Sequence, residues 1–567
     1  MSDIFNKMAD FLEIKGANVF RVRAYRNAAI NINNLSKNLN DMLAEGEELQ
    51  DIKGIGKDLA SKIKEIIETG SLKELEDLQN EFPSSLMEIL KLPGLGPKRV
   101  KILYQDLKIT SIDELENAAK KEKIRKLSGF GEKTEEKILK AIKEAKENNF
   151  GERFLLSTAK EIIEKIIAYL EEDNAVEKIT VAGSYRRYKE TIGDLDILVI
   201  SKENRRVIKR FIEYSDVKEV LSRGETKSSI ILYSGMQVDL RVLDQESFGA
   251  ALLYFTGSKE HNVALRRIAQ EKGLKINEYG VYKKKEKLAG ETEESVYSQL
   301  DMPFIIPELR QNKGEIEAAQ EGKLPEVLQL NDIKSDLHMH TDASDGRNTL
   351  REMLESAREL GYEYIAISDH SKRVSVANGL DEERLERQIE KIDKIIEEYN
   401  DIRILKAIEV DILKDGSLDL PDRILEKLDI RVCSTHFHRN LSRKEQTVRI
   451  LRAMENPYFN ILAHPSGRLL GERNEIDVDM DEVMKAAKEN GCYLEINANP
   501  RRLDLSAKYA RLAKEMSLKL VISTDAHSQN ELKNMSYGVA QARRAFLEKD
   551  DILNTLNLQE FLQTIKR

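Results

Sequence analysis

Beyond residue 334, short apolar runs end one after another in side chains that bind metals. They are Asp336-Leu337-His338-Met339-His340, Ile367-Ser368-Asp369-His370, Ile408-Glu409, Cys433-Ser434-Thr435-His436, Leu462-Ala463-His464, Leu494-Glu495 and Ile522-Ser523-Thr524-Asp525-Ala526-His527. Seven of the eight histidines lie here; only His261 precedes them. Residues two apart on a strand face the same way, which pairs His338 with His340 and Asp525 with His527. With Asp345, His370, Glu409, His436 and His464 they make nine nitrogen and oxygen donors. Nine exceed the needs of one ion and suit two or three Zn²⁺ or Mn²⁺ ions with positions left open for water.

A second constellation lies upstream. Asp194-Leu195-Asp196 reads as a strand with both carboxylates on one face and Leu195 toward the core, about 7 Å apart along the strand. Val181 is read as beginning the buried strand before it, ended by Gly183-Ser184. Met236-Gln237-Val238-Asp239-Leu240-Arg241 alternates in the same way and could lie alongside. Three converging carboxylates repel one another unless a dication sits among them, and Mg²⁺ takes few protein carboxylates plus substrate phosphates.

The third signal is a repeat. Ile52-Lys53-Gly54-Ile55-Gly56-Lys57, Leu92-Pro93-Gly94-Leu95-Gly96-Pro97-Lys98 and Leu127-Ser128-Gly129-Phe130-Gly131-Glu132-Lys133 each follow an apolar helix and open another. Two glycines one residue apart permit a sharp turn that exposes successive N–H groups at a helix N-terminus, where an anion is favoured. Glu132 makes the third copy the least suited to phosphate.

These groups need different scaffolds. Residues 4–148 read as short helices, among them Asp58–Thr69, Arg99–Leu107 and Thr134–Asn148, with almost no period-2 alternation. The C-terminal strand ends recur at spacings of 32, 39, 27, 28, 31 and 30 residues from His338. Charged helical segments such as Leu350–Leu360 and Asp381–Tyr399 fill the gaps. That is the pattern of seven strand–helix units, and in such barrels functional residues gather at the C-terminal ends of the strands. The charged stretch Gln311–Lys323 reads as a linker, helix-like only at Ile316–Ala319.

Composition narrows the class. With 41% apolar residues and 39 Gly+Pro in 567, disordered and fibrous classes are excluded. Two cysteines, Cys433 and Cys492, exclude a disulfide scaffold and any Cys-rich zinc module. The opening MSDIFNKMADFLEIKG lacks a signal-peptide core and no run of 18 apolar residues occurs, so the expectation is a cytoplasmic protein without membrane contact. A net charge of −9 argues against coating DNA by bulk charge; contact with nucleic acid must be local.

The Gly-x-Gly repeats resemble helix-hairpin-helix motifs, which hold a DNA backbone and bind a monovalent cation. That resemblance implies DNA contacts at Gly54, Gly56, Lys57, Gly94, Gly96 and Lys98, with Na⁺ or K⁺ at the loops. Gly183-Ser184-x-Arg186-Arg187, Gly193-Asp194-Leu195-Asp196, Val238-Asp239-Leu240-Arg241 and Tyr254-Phe255-Thr256-Gly257-Ser258 resemble the palm and thumb of family X DNA polymerases, and the likeness spans about residues 1–317. It implies Mg²⁺ or Mn²⁺ on Asp194, Asp196 and Asp239, with Asp239 helping to activate a primer 3′-hydroxyl. It also implies nucleotide contacts at Gly183, Ser184, Arg187, Gly193, Tyr254, Phe255, Thr256, Gly257, Asn262 and Arg266. Lys62 matches the lysine with which some members form a Schiff base to a 5′-deoxyribose phosphate, a role that needs a depressed pKa.

Residues 334–567 resemble a PHP (polymerase and histidinol phosphatase) domain. On that resemblance His338, His340, Glu409 and Asp525 would hold one ion, Asp345, His370 and His527 a second, and Glu409, His436 and His464 a third. His438 would lie on the rim, and Arg468, Arg501 and Arg502 could hold substrate phosphates. The expected architecture is a helical 1–80 domain and a second helical domain 81–149, each with helix-hairpin-helix loops. An α/β nucleotidyltransferase palm 150–243, a small thumb 244–317, a linker 318–333 and a (β/α)7 PHP barrel 334–567 follow. The expected function is gap filling by a monomeric DNA polymerase acting on gapped or primer-template DNA and dNTPs in base excision repair, with 3′–5′ exonuclease activity in the barrel. Alternatives are a barrel that only positions DNA, an RNA-tailing or small-molecule transferase, and a free phosphomonoesterase.

Overall fold

The computed structural model describes residues 2–33, 48–52, 54–69, 72–82, 86–90, 92, 94–148 and 153–567; Lys53 and Pro93 lie outside them. Two compact units, Met1–Glu152 and Arg153–Arg567, are each described by themselves.

Among its described residues the first unit consists of helices joined by turns, with no strand. Its Gly-x-Gly loops open the helices Lys57–Thr69, Pro97–Leu107 and Glu132–Asn148. Each begins one or two residues earlier than the apolar pattern indicated, because charged residues and proline are well tolerated in a first turn. Two apolar cores hold these helices, one around Phe5, Tyr25 and Ile63 and one around Leu86, Leu103 and Ile142.

In the second unit a five-stranded mixed sheet runs Lys178–Val181, Asp194–Ile200, Gln237–Leu243, Lys227–Leu232, Val217–Arg223 in spatial order. The strand expected to begin at Val181 instead ends there and is only half-buried, since the chain turns at Gly183, whose φ is +64°. The helices Leu156–Glu171 and Asn204–Ile212 supply apolar residues to the core beneath this sheet. Next come the helices Phe248–Thr256 and Lys259–Glu271 and a three-stranded antiparallel sheet.

The stretch expected to be a linker is folded. The helix Glu315–Gln320 buries Ile316 and Ala319 in the same core as Leu265 and Tyr297, and buried Glu315 bonds His261 at 2.8 Å. Its charges hide this from a reading of hydropathy, because Glu315 also accepts the N–H groups of Asn312 and Lys313.

The remainder is a parallel seven-stranded sheet in sequence order: Ser335–Met339, Tyr364–Ile367, Arg403–Asp411, Ile430–Ser434, Ile461–Leu462, Tyr493–Asn497 and Leu520–Ser523. A bridge from Met339 to Ala526 joins first strand to last, so the sheet is a nearly closed barrel with helices such as Leu350–Glu359 and Glu382–Ile396 between strands. Among the described residues no helix is long and apolar enough to cross a membrane.

Candidate active sites

Strand pairing builds the first site. Asp194–Ile200 and Gln237–Leu243 run parallel with Asp196 opposite Asp239, so three carboxylates share one sheet face while Leu195 is buried. Burial, then the charges of Asp194 and Asp239, push Asp196 up to about 7; burial and Asp239 raise Asp194 as well. Such a crowded anionic face fits divalent ions. Gly183 is required here, since a Cβ at that position would sit 2.5 Å from Asp196 Oδ2.

Of the nucleotide-contact candidates, Gly183, Gly193 and Arg187 border this face. Gly193 precedes Asp194, and the Arg153 guanidinium lies 3.2 Å from where a Gly193 Cβ would be. Arg153 donates to Thr191 Oγ1 at 2.8 Å and opposes the rise of Asp194. Sequence reasoning missed it, and no motif flanks it. Ser184 lies on the short helical turn Gly183–Arg186. Arg187 donates to the Thr256 carbonyl; burial and then Arg544 lower it to about 10, and among the described residues its Nε has no hydrogen-bond partner. Arg186 ties Thr256 Oγ1 at 2.8 Å to a fork on Glu293. Tyr254 and Phe255 meet edge to face at 5.0 Å, Asn262 donates to the Tyr254 carbonyl at 2.8 Å, and Arg266 covers the Tyr254 ring at 5.1 Å. Gly257 follows at φ +68°, against Arg187.

The barrel gathers all nine sequence-identified donors at one end. Three groups have ligand atoms within 4.8 Å of one another: His340, Asp345, His370 and His527; His338, His340 and Asp525; and His370, Glu409 and His436. Glu409 is the hub, with Oε2 3.5 Å from His338 Nε2 and 2.8 Å from His370 Nδ1, and Oε1 3.4 Å from His436 and 3.1 Å from His464. Among the described residues the buried atoms His338 Nε2, His340 Nδ1, His370 Nδ1 and Glu409 Oε2 make no hydrogen bond of good geometry, although His370 Nδ1 and Glu409 Oε2 lie 2.8 Å apart. Buried polar atoms left bare at one point are what metal ligands look like before the ion is counted, so the donor set fits. Burial, then His527 and His370, push His340 down to about 3, leaving a neutral imidazole.

A shell of polar residues lies behind these donors; the strand-end pattern includes Glu495 and Asp369 without assigning them to an ion, and it omits Asn497 and Asp411. Glu495 Oε1 bonds His338 Nδ1 at 2.8 Å, and Asn497 donates to both Glu495 and Asp525 at 3.1 Å. Asp411 accepts the His436 N–H at 3.0 Å. Asp369 accepts Thr341 and Ser344, holding the loop that carries Asp345. Such partners orient ligands and set their tautomers. Alternation was the available signal, since Asp411 stands two residues from Glu409 and Asn497 two from Glu495. His438 is exposed. Of the three arginines considered for phosphate, Arg468 is turned to Glu190 at 2.9 Å, Arg501 pairs with Glu472 at 2.7 Å, and Arg502 stays at the centre, 3.4 Å from Asp525.

The Gly-x-Gly loops share one backbone. Gly54, Gly94 and Gly129 have φ of 81°, 84° and 80°, and the same turn bonds recur, Ile55 N–H to Ile52, Leu95 to Leu92 and Phe130 to Leu127. At Gly56, Gly96 and Gly131 the Cβ direction meets open space. Lys57 and Lys98 are exposed beside the first two. The third differs: Glu132 and buried Glu135 occupy its first helical turn and bind Arg125. Lys62 departs from the lyase expectation. Its ammonium bonds Tyr25 Oη at 2.6 Å, Asp58 at 2.7 Å and Glu74 at 2.9 Å, and these partners outweigh burial to raise its pKa rather than depress it.

Comparison with known proteins agrees with this division. Family models match a helix-hairpin-helix domain at 1–72, a SAM-like helix-hairpin-helix tandem at 86–144, a DNA polymerase beta palm at 156–268, a DNA polymerase beta thumb at 251–311 and a PHP domain at 336–499. Probable phosphatases of Thermoanaerobacter sp. and Caldanaerobacter subterraneus are 30% and 28% identical to 41% and 40% of the chain, covering 95% and 90% of their own lengths. The DNA polymerase/3′-5′ exonuclease PolX of Bacillus subtilis is 39% identical across 100% of the chain and 98% of its own length. On that full-length match, with palm, thumb and barrel in the same order, the chain belongs to the family X DNA polymerases that carry a C-terminal PHP domain.

Proposed function

We propose that this protein fills short gaps in DNA from dNTPs at the palm and trims the primer 3′ end as a 3′–5′ exonuclease in the barrel. The observation that carries the reading is the convergence of Asp194, Asp196 and Asp239 in one chain with a second, separate donor set around Glu409. In the palm, Asp194 and Asp196 would hold Mg²⁺ or Mn²⁺, and Asp239 would take part in drawing the proton from the primer 3′-hydroxyl. Arg187, whose Nε has no hydrogen-bond partner among the described residues, and Ser184 and Gly193 would bind the triphosphate. Tyr254, Phe255, Thr256 and Gly257 would shape the sugar pocket, and Asn262 and Arg266 would meet the incoming base and template. Lys57 and Lys98 would hold backbone phosphates, with Na⁺ or K⁺ at the adjacent loops. In the barrel the nine donors would hold two or three Mn²⁺ or Zn²⁺ ions. When bound, such ions supply charge neutralisation for phosphoryl transfer in the palm and an acidified water in the barrel.

The test uses a one-nucleotide gap with a labelled primer and a 5′-phosphate, in Mn²⁺ with and without dNTPs. Asp239→Ala is expected to lose extension by at least about 10³-fold while still shortening the primer, and His338→Ala to do the reverse. If wild type never extends the primer, the polymerase reading fails. If it never shortens it, the barrel acts otherwise. The phosphatase relatives of the barrel favour a second reading, removal of a 3′-terminal phosphate. A 3′-phosphorylated primer in the same assay tests it, and phosphate release must also vanish in His338→Ala.

A further inference from the structure

The rim of the barrel site carries guanidinium groups that the donor set does not use. The loop after His436 continues Phe437-His438-Arg439, and the loop after His464 reaches Gly467 and then Arg473. Arg439 lies across Gly467, where a Cβ would come 2.2 Å from its Nη1, and donates to the Asn474 carbonyl at 3.3 Å. Arg473 donates to the Gly467 carbonyl at 2.9 Å. Arg502 completes the group, with its Nε 3.4 Å from Asp525 Oδ2 at the metal-ligand cluster. The acids nearby are already engaged: Asp504 accepts the N–H groups of Ser466 and Gly467, and Glu472 is held by Arg501. Among the described residues neither Arg439 nor Arg473 forms an ion pair with a carboxylate. The three guanidiniums are close enough to disfavour one another's charge, and Arg439, lowered first by burial and then by Arg473 and Arg502, falls to about 10. Cations gathered at the mouth of a phosphoester-cleaving site, two of the three without a carboxylate ion pair among the described residues, are poised for phosphate. Phe437, in the same loop as Arg439 and with Arg373 over its ring at 5.0 Å, adds an aromatic face of the kind on which a nucleobase stacks.

We propose that Arg439 and Arg473, with Arg502 at the inner end, form a subsite for the phosphodiester adjacent to the one being cut. The barrel then takes a polynucleotide strand rather than a small phosphate ester. The inference rests on the exonuclease reading above and names how that site recognises a strand.

The test is steady-state kinetics of the full chain in Mn²⁺ on two substrates: a single-stranded oligothymidylate, and thymidine 5′-(p-nitrophenyl phosphate), which has no neighbouring phosphodiester. For Arg439→Gln/Arg473→Gln, KM for the oligomer is expected to rise about tenfold or more with kcat within about twofold. The salt dependence of kcat/KM on the oligomer should become shallower by one to two counterions, roughly one for each phosphate no longer neutralised. The small ester should be hydrolysed as by wild type, and Arg439→Lys/Arg473→Lys should recover most of the affinity. Equal kinetics of wild type and the Gln variant on the oligomer would overturn the subsite. So would a parallel loss on both substrates, which would mark the arginines as supports of the metal cluster. Wild type that cleaves the small ester but leaves the oligomer intact would instead defeat the exonuclease reading, and the subsite with it.

Discussion

Lys189 stands between Arg187 and the half-buried carboxylate of Glu190, and its surroundings are hostile to its own charge. Burial, then Arg544 and Arg187, lower its pKa from 10.5 to about 8. The unfolded chain therefore binds this proton more tightly, so the ammonium burdens the fold at neutral pH and the burden lifts as pH rises from about 8 toward 10.5. Lys189→Met is expected to stabilise the protein by about 1–2 kcal/mol at pH 7, discounted for partial solvent access, and to give no gain above pH 10.5. Thermal melts at the two pH values check this, and a gain that did not depend on pH would sink the electrostatic account. Lys62 is the converse case, a lysine whose carboxylate partners keep it charged.

At the scale of elements, the turn between Lys178–Val181 and Asp194–Ile200 decides whether the palm carboxylates can assemble. Gly183 combines a left-handed φ with the close approach of Asp196 Oδ2. Gly183→Ala must strain the backbone and push that carboxylate aside, so extension should fall by about 100-fold or more while primer shortening is unaffected. The Gly-x-Gly loops provide a graded test of another kind. Their backbones match, but the third helix starts with Glu132 and Glu135, which cancel the positive end that an anion would meet. Charge reversal at Lys57 or Lys98 should weaken gapped-DNA binding about tenfold at low salt, and reversal at Lys133 by less than half that factor. Anisotropy titrations across salt concentrations measure all three, and equal losses would show that the loops act alike.

At the scale of the molecule, the barrel is built into the polymerase rather than appended to it. Glu190, four residues before Asp194, accepts Arg468 at 2.9 Å and Gln541 at 2.8 Å, both from the barrel, and Arg544 donates to the Tyr188 carbonyl at 3.2 Å. Arg543 pairs with Glu308 at 3.0 Å, Leu503 and Tyr537 enter the core beneath the palm sheet, and Phe546 enters the thumb core. Burial would raise Glu190, but Arg468 and Arg544 hold it below its ordinary value, so its contribution is present at neutral pH and fades as pH falls below about 4.5. Glu190→Ala removes the nearer carboxylate from buried Arg468, leaving Glu475 at 3.9 Å, and should cost about 2 kcal/mol, with extension impaired because the strand leading to Asp194 loses its anchor. Denaturant midpoints and primer extension together check this; an unchanged midpoint would show the interface to be incidental.

What the sequence alone determined is whatever local spacing encodes. The recurrence of ligand residues at strand ends dictated a barrel of seven strands and pointed to nine candidate donors that the fold brings to one end, and alternation put Asp194 and Asp196 on one face. The doubled glycines marked three turns that prove to share one backbone. Only the tertiary structure decided what depends on pairing between distant segments. It set Asp196 opposite Asp239, made Glu409 the hub of the candidate metal-ligand cluster, folded 311–323 onto the thumb, and turned Arg468 from a phosphate candidate into a clasp on Glu190. A period is written in neighbouring residues and survives any reading of them. The partner of a buried charge lies hundreds of residues away, and burial and distance alone tell a guanidinium held by a carboxylate from one left open for a substrate.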